Sequence, residues 1–358
     1  MLLIDRASFP RWKVCGCCLN GHALALLQEV GLGAMMARSG AVPLTAIRLA
    51  SAGRSASVPL SGGVALSRES FDAALIHAAI EAGADFLPRT LASLDREVDR
   101  SECRRLELRQ GANCERVAAR VVLAADGLGG QLTVRAGISA ASVTSRTRIG
   151  AGVVVSSAPE FYESGRIFMA CGREGYLGLV RLEDGRLNLA AALDPRWVRV
   201  CGGPGRAADQ LLIETGWPSL ADLGEQPWRG TTTLTRQARR RGAERLLLLG
   251  DAAGYIEPFT GEGMAWALAT ALAVAPLAVL GVRQWHPNLI RQWDTIYRHL
   301  LGRRQLVCRT VAGVLRLPWL MRQVVRLLAL APSLAVPLTR YLGERKVRPS
   351  AGSHQSKK

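Results

Sequence analysis

The sequence predicts an α/β protein in which a parallel sheet is split by an antiparallel β domain and followed by a helical C-terminus. Three observations predict it. Short uninterrupted apolar runs at Leu2-Leu3-Ile4, Val121-Val122-Leu123-Ala124-Ala125 and Arg245 to Leu249 each end in an acid, at Asp5, Asp126 and Asp251. Such runs, bounded by turns, read as buried strands. Residues 146–235 alternate short strands instead (Ile149 to Val155, Gly175 to Arg181, Leu187 to Leu193) and read as a separate antiparallel sheet. Beyond the third acid the chain reads as helix, broken at Pro276, Pro318, Pro332 and Pro337.

The elements follow in order. The strand 2–4 leads into a loop from Arg6 to Gly16 that carries Pro10, Arg11 and Lys13. Residues 20–30 are expected to be a helix, with Leu24, Leu26, Leu27 and Val30 on one stripe and Gly31 as its stop. Residues 45–60 alternate in strand fashion around Ser51-Ala52-Gly53, as an insert in the first domain. A long helix spans roughly 67–83, a strand resumes at 84–87, and short strands continue to about residue 117. No internal repeat is visible.

At 358 residues the chain is long enough for two domains. Hydrophobic residues make up 49% and charged ones 21%, which excludes disorder for most of the length. The net charge is +17, and the segment from Arg283 onward is dense in Lys and Arg with only the acids Asp294 and Glu344. That end suits anionic lipid or an acidic partner. Aromatics at 5% leave few stacking platforms and argue against nucleic acid. Cys15-Gly16-Cys17-Cys18 lacks a second Cys or His pair at zinc spacing, so no metal site is expected. Met1 to Ile4 passes at once into Asp5 and Arg6, which is not a secretory signal. Reduced thiols, a cytoplasmic location and peripheral membrane contact are the expectation.

In open parallel α/β sheets ligands bind at the carboxyl ends of the strands, where Asp5, Asp126 and Asp251 stand. The most specific context is Leu249-Gly250-Asp251-Ala252-Ala253-Gly254, continuing through Pro258 to Gly261-Glu262-Gly263. A carboxylate after a glycine can accept a ribityl hydroxyl at close range. The later glycines let a helix start against a phosphate or ring edge without a Cβ in the way.

These residues resemble the flavoproteins of the geranylgeranyl-reductase and aromatic-hydroxylase superfamily. Gly250-Asp251-Ala252-Ala253 with Pro258, Gly261 and Gly263 resembles its second FAD motif, and Asp126-Gly127 its Asp-Gly motif near the pyrophosphate. Pro10-Arg11-Trp12-Lys13-Val14-Cys15-Gly16 is similar to the loop that the family places beside the flavin ring. Arg68, in Arg68-Glu69-Ser70-Phe71-Asp72, would face the cofactor, and Asp5, followed by Arg6, would hold the adenosine ribose. The resemblance implies a Rossmann-like FAD-binding sheet, FAD as cofactor, and NAD(P)H or a redox partner as electron donor. No catalytic residue is assigned.

In such a sheet a first strand and a Gly-x-Gly-x-x-Gly loop are expected roughly 20 residues before Asp5. Only four residues precede it. Gly31-Leu32-Gly33 follows a helix and is a helix stop. The sheet is therefore expected to lack its first strand and loop, through a late start or a true loss, and the chain as written is expected to bind FAD poorly.

The expected organisation is a first FAD-domain part at 1–145, a substrate domain at 146–235, and a second FAD-domain part at 236–300. A helical region at 301–345 and a disordered tail at 346–358 follow. The expected function is an FAD-dependent oxidoreductase, monooxygenase or reductase, acting on a hydrophobic prenyl, polyketide or aromatic small molecule. The alternative is a non-catalytic, membrane-associated remnant of the fold that does not bind FAD. Residues 263–282 are uncharged and are expected to be a buried helix. Residues 305–342 interleave apolar clusters with Arg309, Arg316, Arg322, Arg326 and Arg340, as an interfacial helix pair or a lid would.

Overall fold

The strands that position the site are β1 (Leu2–Ile4), β2 (Ala46–Ser51), β3 (Arg54–Pro59), β4 (Asp85–Leu87), β5 (Val122–Ala124) and β6 (Ile149–Val155). They continue with β7 (Arg166–Cys171), β8 (Gly175–Arg181), β9 (Leu187–Leu193), β10 (Arg229–Thr233) and β11 (Leu246–Leu248). The helices are α1 (Gly21–Glu29), α2 (Arg68–Glu81), α3 (Pro195–Cys201), α4 (Pro204–Thr215) and α5 (Gly263–Arg283). After them come α6 (Asn288–Val314), α7 (Pro318–Leu330) and α8 (Val336–Gly343). The computed structural model describes residues 1–95, 102–138, 140–141, 147–257 and 259–343. The expected tail at 346–358 lies outside the described residues.

The parallel part of the fold consists of two strand pairs. β1 runs parallel to β4, with Leu3 opposite Phe86, and β5 parallel to β11, with Leu123 opposite Leu247. Alternate residues of a parallel strand direct their backbone groups to the same neighbour. Met1 O and Asp5 N bond to β4 and its flanks, and Val122 N and Ala124 O to the flanks of β11. Leu2, Ile4 and Leu123 therefore turn their backbone groups the other way, toward one shared cavity. Leu123 is 38% exposed and Ala125 is exposed too, so the expectation of a fully buried run at 121–125 holds only for Val122 and Ala124. Leu2, 44% exposed, departs likewise from the buried strand expected at 2–4.

The second sheet has seven strands in the order β10-β6-β9-β8-β7-β2-β3. Its strands Ile149–Val155, Gly175–Arg181 and Leu187–Leu193 carry the bounds expected from sequence. Two expectations change. The 45–60 hairpin is β2 and β3 and extends this sheet, and β2 pairs with β7 in parallel, so the sheet is not purely antiparallel. One face is covered by α4 through Ala207, Ala208, Leu211 and Leu212. α3 and α4 were not anticipated, although Pro195 and Pro204 open them and Gly202 and Gly216 end them in left-handed geometry.

The helical end also departs from expectation. α5 runs unbroken through Pro276 over 21 residues. Proline removes one intrahelical bond and bends a helix; packing of α5 between α1 and α6 holds it together. Pro318 starts α7 and Pro337 sits in the first turn of α8, where the missing N–H costs little. The expected boundary at residue 300 falls inside α6, a 27-residue helix. Its Trp293 is fully buried and donates from Nε1 to Leu248 O at 2.8 Å, which ties α6 to β11.

Candidate functional site

The carboxyl ends of β1, β5 and β11 open into one cavity of about 2200 Å³. That exceeds the roughly 300–1,000 Å³ of an ordinary small-molecule pocket and suits an extended ligand. Every predicted site residue borders it except Pro258, which lies outside the described residues.

The loop after β1 forms the floor. Asp5 accepts the Ala7 N–H at 2.8 Å, and Arg11 reaches Asp5 at 3.5 Å and Asp72 at 3.7 Å. Arg68 binds Asp72 through two parallel bonds of 2.9 and 2.8 Å, an i,i+4 pair near the start of α2. Ser67 caps that helix, and Glu183 accepts from Ser67 N, Ser67 Oγ and Ser70 Oγ, which fixes where Arg68 points. Asn188 on β9 donates to Cys15 O at 2.9 Å and anchors the loop to the second sheet. Sequence reasoning missed Glu183 and Asn188; the signal for Asn188 was a lone amide between Leu187 and Leu189 in an apolar strand.

Charge is concentrated at this floor. Burial pulls the Lys13 ammonium down, and the nearby Arg68 pulls it further, while Asp251 opposes both. Burial raises the Asp251 carboxyl against the pull of Lys13 and Arg68. Asp126 is raised by burial too, and its Oδ2 accepts the Leu132 N–H at 3.0 Å, capping the short helix Gln131–Arg135. Arg6 acts on Asp126 from across the cavity and favours its charged form.

The glycines leave open backbone. Gly127, Gly250 and Gly261 have φ of +74°, +56° and +69°, a region that side chains rarely tolerate. A Cβ on Gly127 or Gly261 would meet nothing within 4 Å, and Gly250 faces only Ala267 at 3.6 Å. Gly31 ends α1 with its N–H on Gln28 O, which is a helix stop as expected.

These groups fit an FAD. Arg6, Lys13 and Arg68 are cations that would face the cofactor, Asp5 and Asp251 carboxylates that would accept hydroxyls, and the bare glycines leave room for close approach. Arg11 Nε and Trp12 Nε1 are buried at the same wall with no hydrogen-bond partner among the described residues. Such orphaned donors are rare in a folded chain and need an acceptor.

Beyond the floor the wall turns apolar. Ile47, Leu49, Ile167 and Met169 from the second sheet face Met321 and Leu328 of α7. Tyr176 stands among them edge-on to Phe259 at 5.1 Å, and its Oη has no hydrogen-bond partner among the described residues. Behind Tyr176, Arg148 lies 5.6 Å from its ring and pairs with Glu257 at 2.6 Å; Arg316 joins Glu257 at 3.0 Å. Arg316, expected on a membrane face, is thus engaged with the core.

The chain is 28% identical over 215 residues to the digeranylgeranylglycerophospholipid reductase 2 of Methanothermobacter thermautotrophicus. The match takes in 58% of this chain and spans about half, 52%, of that relative. Among solved structures, a flavoprotein/dehydrogenase from Cytophaga hutchinsonii superposes with a TM-score of 0.77 at 15% identity, covering 96% of this chain and 86% of that one. A p-nitrophenol 4-monooxygenase from Pseudomonas putida gives 0.75 at 14% identity, over 97% and 92%. The chain has the fold of the FAD-dependent oxidoreductases. A flavin-dependent halogenase shares this flavoenzyme fold at a TM-score of 0.69 and 18% identity, over 83% of this chain and 57% of the halogenase. No protein-family profile matches. Nothing in these likenesses favours a non-catalytic remnant.

Proposed function

We propose that the chain is an FAD-dependent oxidoreductase, a reductase or monooxygenase, acting on a hydrophobic prenyl, polyketide or aromatic small molecule. The observation that carries this reading is the meeting of Asp5, Cys15, Arg68, Asp126 and Asp251, from four separate segments, at one cavity whose far wall is apolar. The flavin, when bound, supplies hydride or oxygen chemistry, with NAD(P)H or a redox partner as donor. The protein binds it at the floor and holds substrate along Ile47, Met169 and Met321. Tyr176 Oη would donate to a polar group of the substrate.

Titrating the chain with FAD and following flavin fluorescence tests the reading. Weak binding is expected, and Gly250→Val is expected to abolish it, because a branched side chain at φ +56° strains the turn and fills the cradle. Equal affinity in the two proteins would sink the assignment.

A second part of the proposal concerns α7 and α8. Met321 and Val325 pack inward, whereas Trp319 and Leu330 are 64% and 78% exposed on the outer side with Arg322 and Arg326. We infer that this outer face rests on anionic membrane from which a lipid-like substrate is drawn. The protein is expected to co-sediment with phosphatidylglycerol vesicles and to release in high salt. Reversing Arg322 and Arg326 to Glu should weaken partitioning by at least about 30-fold, from roughly 1 kcal/mol per cation. Salt-independent partitioning, or none, would refute it.

A further inference from the structure

Three thiols, Cys15, Cys17 and Cys18, border the cavity within four residues, and the flavoenzyme reading makes no use of their sulfur chemistry. The turn is folded for contact. Cys17 takes a left-handed φ of 56°, its N–H donates to Cys15 Sγ at 3.4 Å, and its own thiol turns back to Cys15 O at 3.7 Å. Cys18 is aimed elsewhere: its Sγ donates to Gly16 O at 3.1 Å, and its backbone is held in the strand Cys18–Asn20. The 3.4 Å contact sets the Cys15 sulfur against the Cys17 backbone, and a disulfide needs Cα atoms roughly 4.4–6.8 Å apart.

We propose that Cys15 and Cys17 form a redox pair that hydroperoxide oxidises, Cys15 as the attacking thiolate and Cys17 as the resolving thiol. Cys15 sulfur attacks the O–O bond of hydrogen peroxide. The S–O bond forms, the O–O bond breaks, and the departing hydroxide takes a proton to leave as water. Cys17 sulfur then attacks the sulfenic sulfur; the S–S bond forms, the S–O bond breaks, and a second water carries off the Cys17 proton. Two thiols are oxidised and one peroxide is reduced.

The surroundings assign the roles. Hydrogen bonding from Cys17, with the buried Arg68 guanidinium behind it, holds Cys15 well below an ordinary thiol. Hydrogen bonding to Cys15 and burial hold Cys17 well above, and burial raises Cys18. The thiolate is the reactive form, and an arginine-backed thiol open to solvent is the one that oxidises first. Cys15 is partly exposed and Cys17 buried, so peroxide reaches the attacker before the resolver. The oxidation needs no bound flavin, so its failure and a failure to bind FAD are separate results.

The test is hydrogen peroxide added in equimolar amount to the flavin-free chain at neutral pH, followed by alkylation and peptide mass spectrometry. The expected product is a peptide 14–38 lighter by about 2 Da with Cys18 alkylated. Cys15→Ser should prevent it, Cys18→Ser should not, and Cys17→Ser should stop at a Cys15 sulfenic acid that dimedone captures. The proposal is overturned if the bridge joins Cys18, survives in Cys15→Ser, or if dimedone in Cys17→Ser finds Cys114 before Cys15. Circular dichroism on each serine variant confirms the fold against which these outcomes are read.

Discussion

Arg148→Met is expected to destabilise the protein by about 3–5 kcal/mol, the cost of removing one partner from a buried ion pair. Arg148 and Glu257 have side-chain exposures of 5% and 1%, and their bond is 2.6 Å. With Arg148 gone, Glu257 keeps only Arg316, whose side chain is 32% exposed and reaches it at 3.0 Å. A half-solvated partner compensates a buried carboxylate poorly. Denaturant unfolding should show a shifted midpoint with an unchanged slope. The double variant Arg148→Met/Glu257→Leu should recover most of the loss, because no fully buried charge then loses its partner and Arg316, 32% exposed, can be solvated. A double variant no better than the single one would mean that the loss came from packing against Tyr176.

Asp251→Asn is expected to act in opposite directions on the flavin-free chain and on cofactor binding. Burial raises the Asp251 carboxyl above its ordinary 3.8 despite Lys13 and Arg68. The folded state then holds the proton more tightly than the unfolded chain. The associated stability is present below the unfolded value and is lost as pH rises through the folded one. Asparagine removes that loss, so the variant should melt above the parent at pH 8 and close to it near pH 4. FAD affinity should fall roughly 10–100-fold, as for loss of a hydrogen bond to a charged acceptor worth about 1.5–3 kcal/mol. Calorimetry across pH and flavin titration at pH 7 read the two effects. A variant that melts lower at every pH would show that Asp251 steadies Lys13 and Arg68 more than its own burial costs.

What was legible in the sequence was local. Strand–acid–glycine junctions at Asp126 and Asp251 advertise themselves in five or six residues, and the β-strands 149–155 and 187–193 show as short apolar runs between turns. Distant pairings left no such mark. That the 46–59 hairpin would join β7 depends on a contact across more than a hundred residues. Pro276 looked like a break because propensity is a local rule, and tertiary packing of α5 overrode it. Arg316 read as a surface cation for the same reason, since its partner Glu257 is remote in sequence. α3 and α4 were the avoidable miss: their proline starts and glycine ends are local signals.

The backbone edges at Leu2, Ile4 and Leu123 have a thermodynamic consequence. They border the same cavity as the turns at Asp5 and Asp126, so any extended segment that pairs with them would stiffen two carboxylates that, on the proposed reading, would hold a dinucleotide. Linkage makes the effect mutual: whatever factor the strand adds to the affinity for the nucleotide, the nucleotide adds to the affinity for the strand. Cofactor loading and sheet completion would then titrate as one cooperative event, each steepening the other.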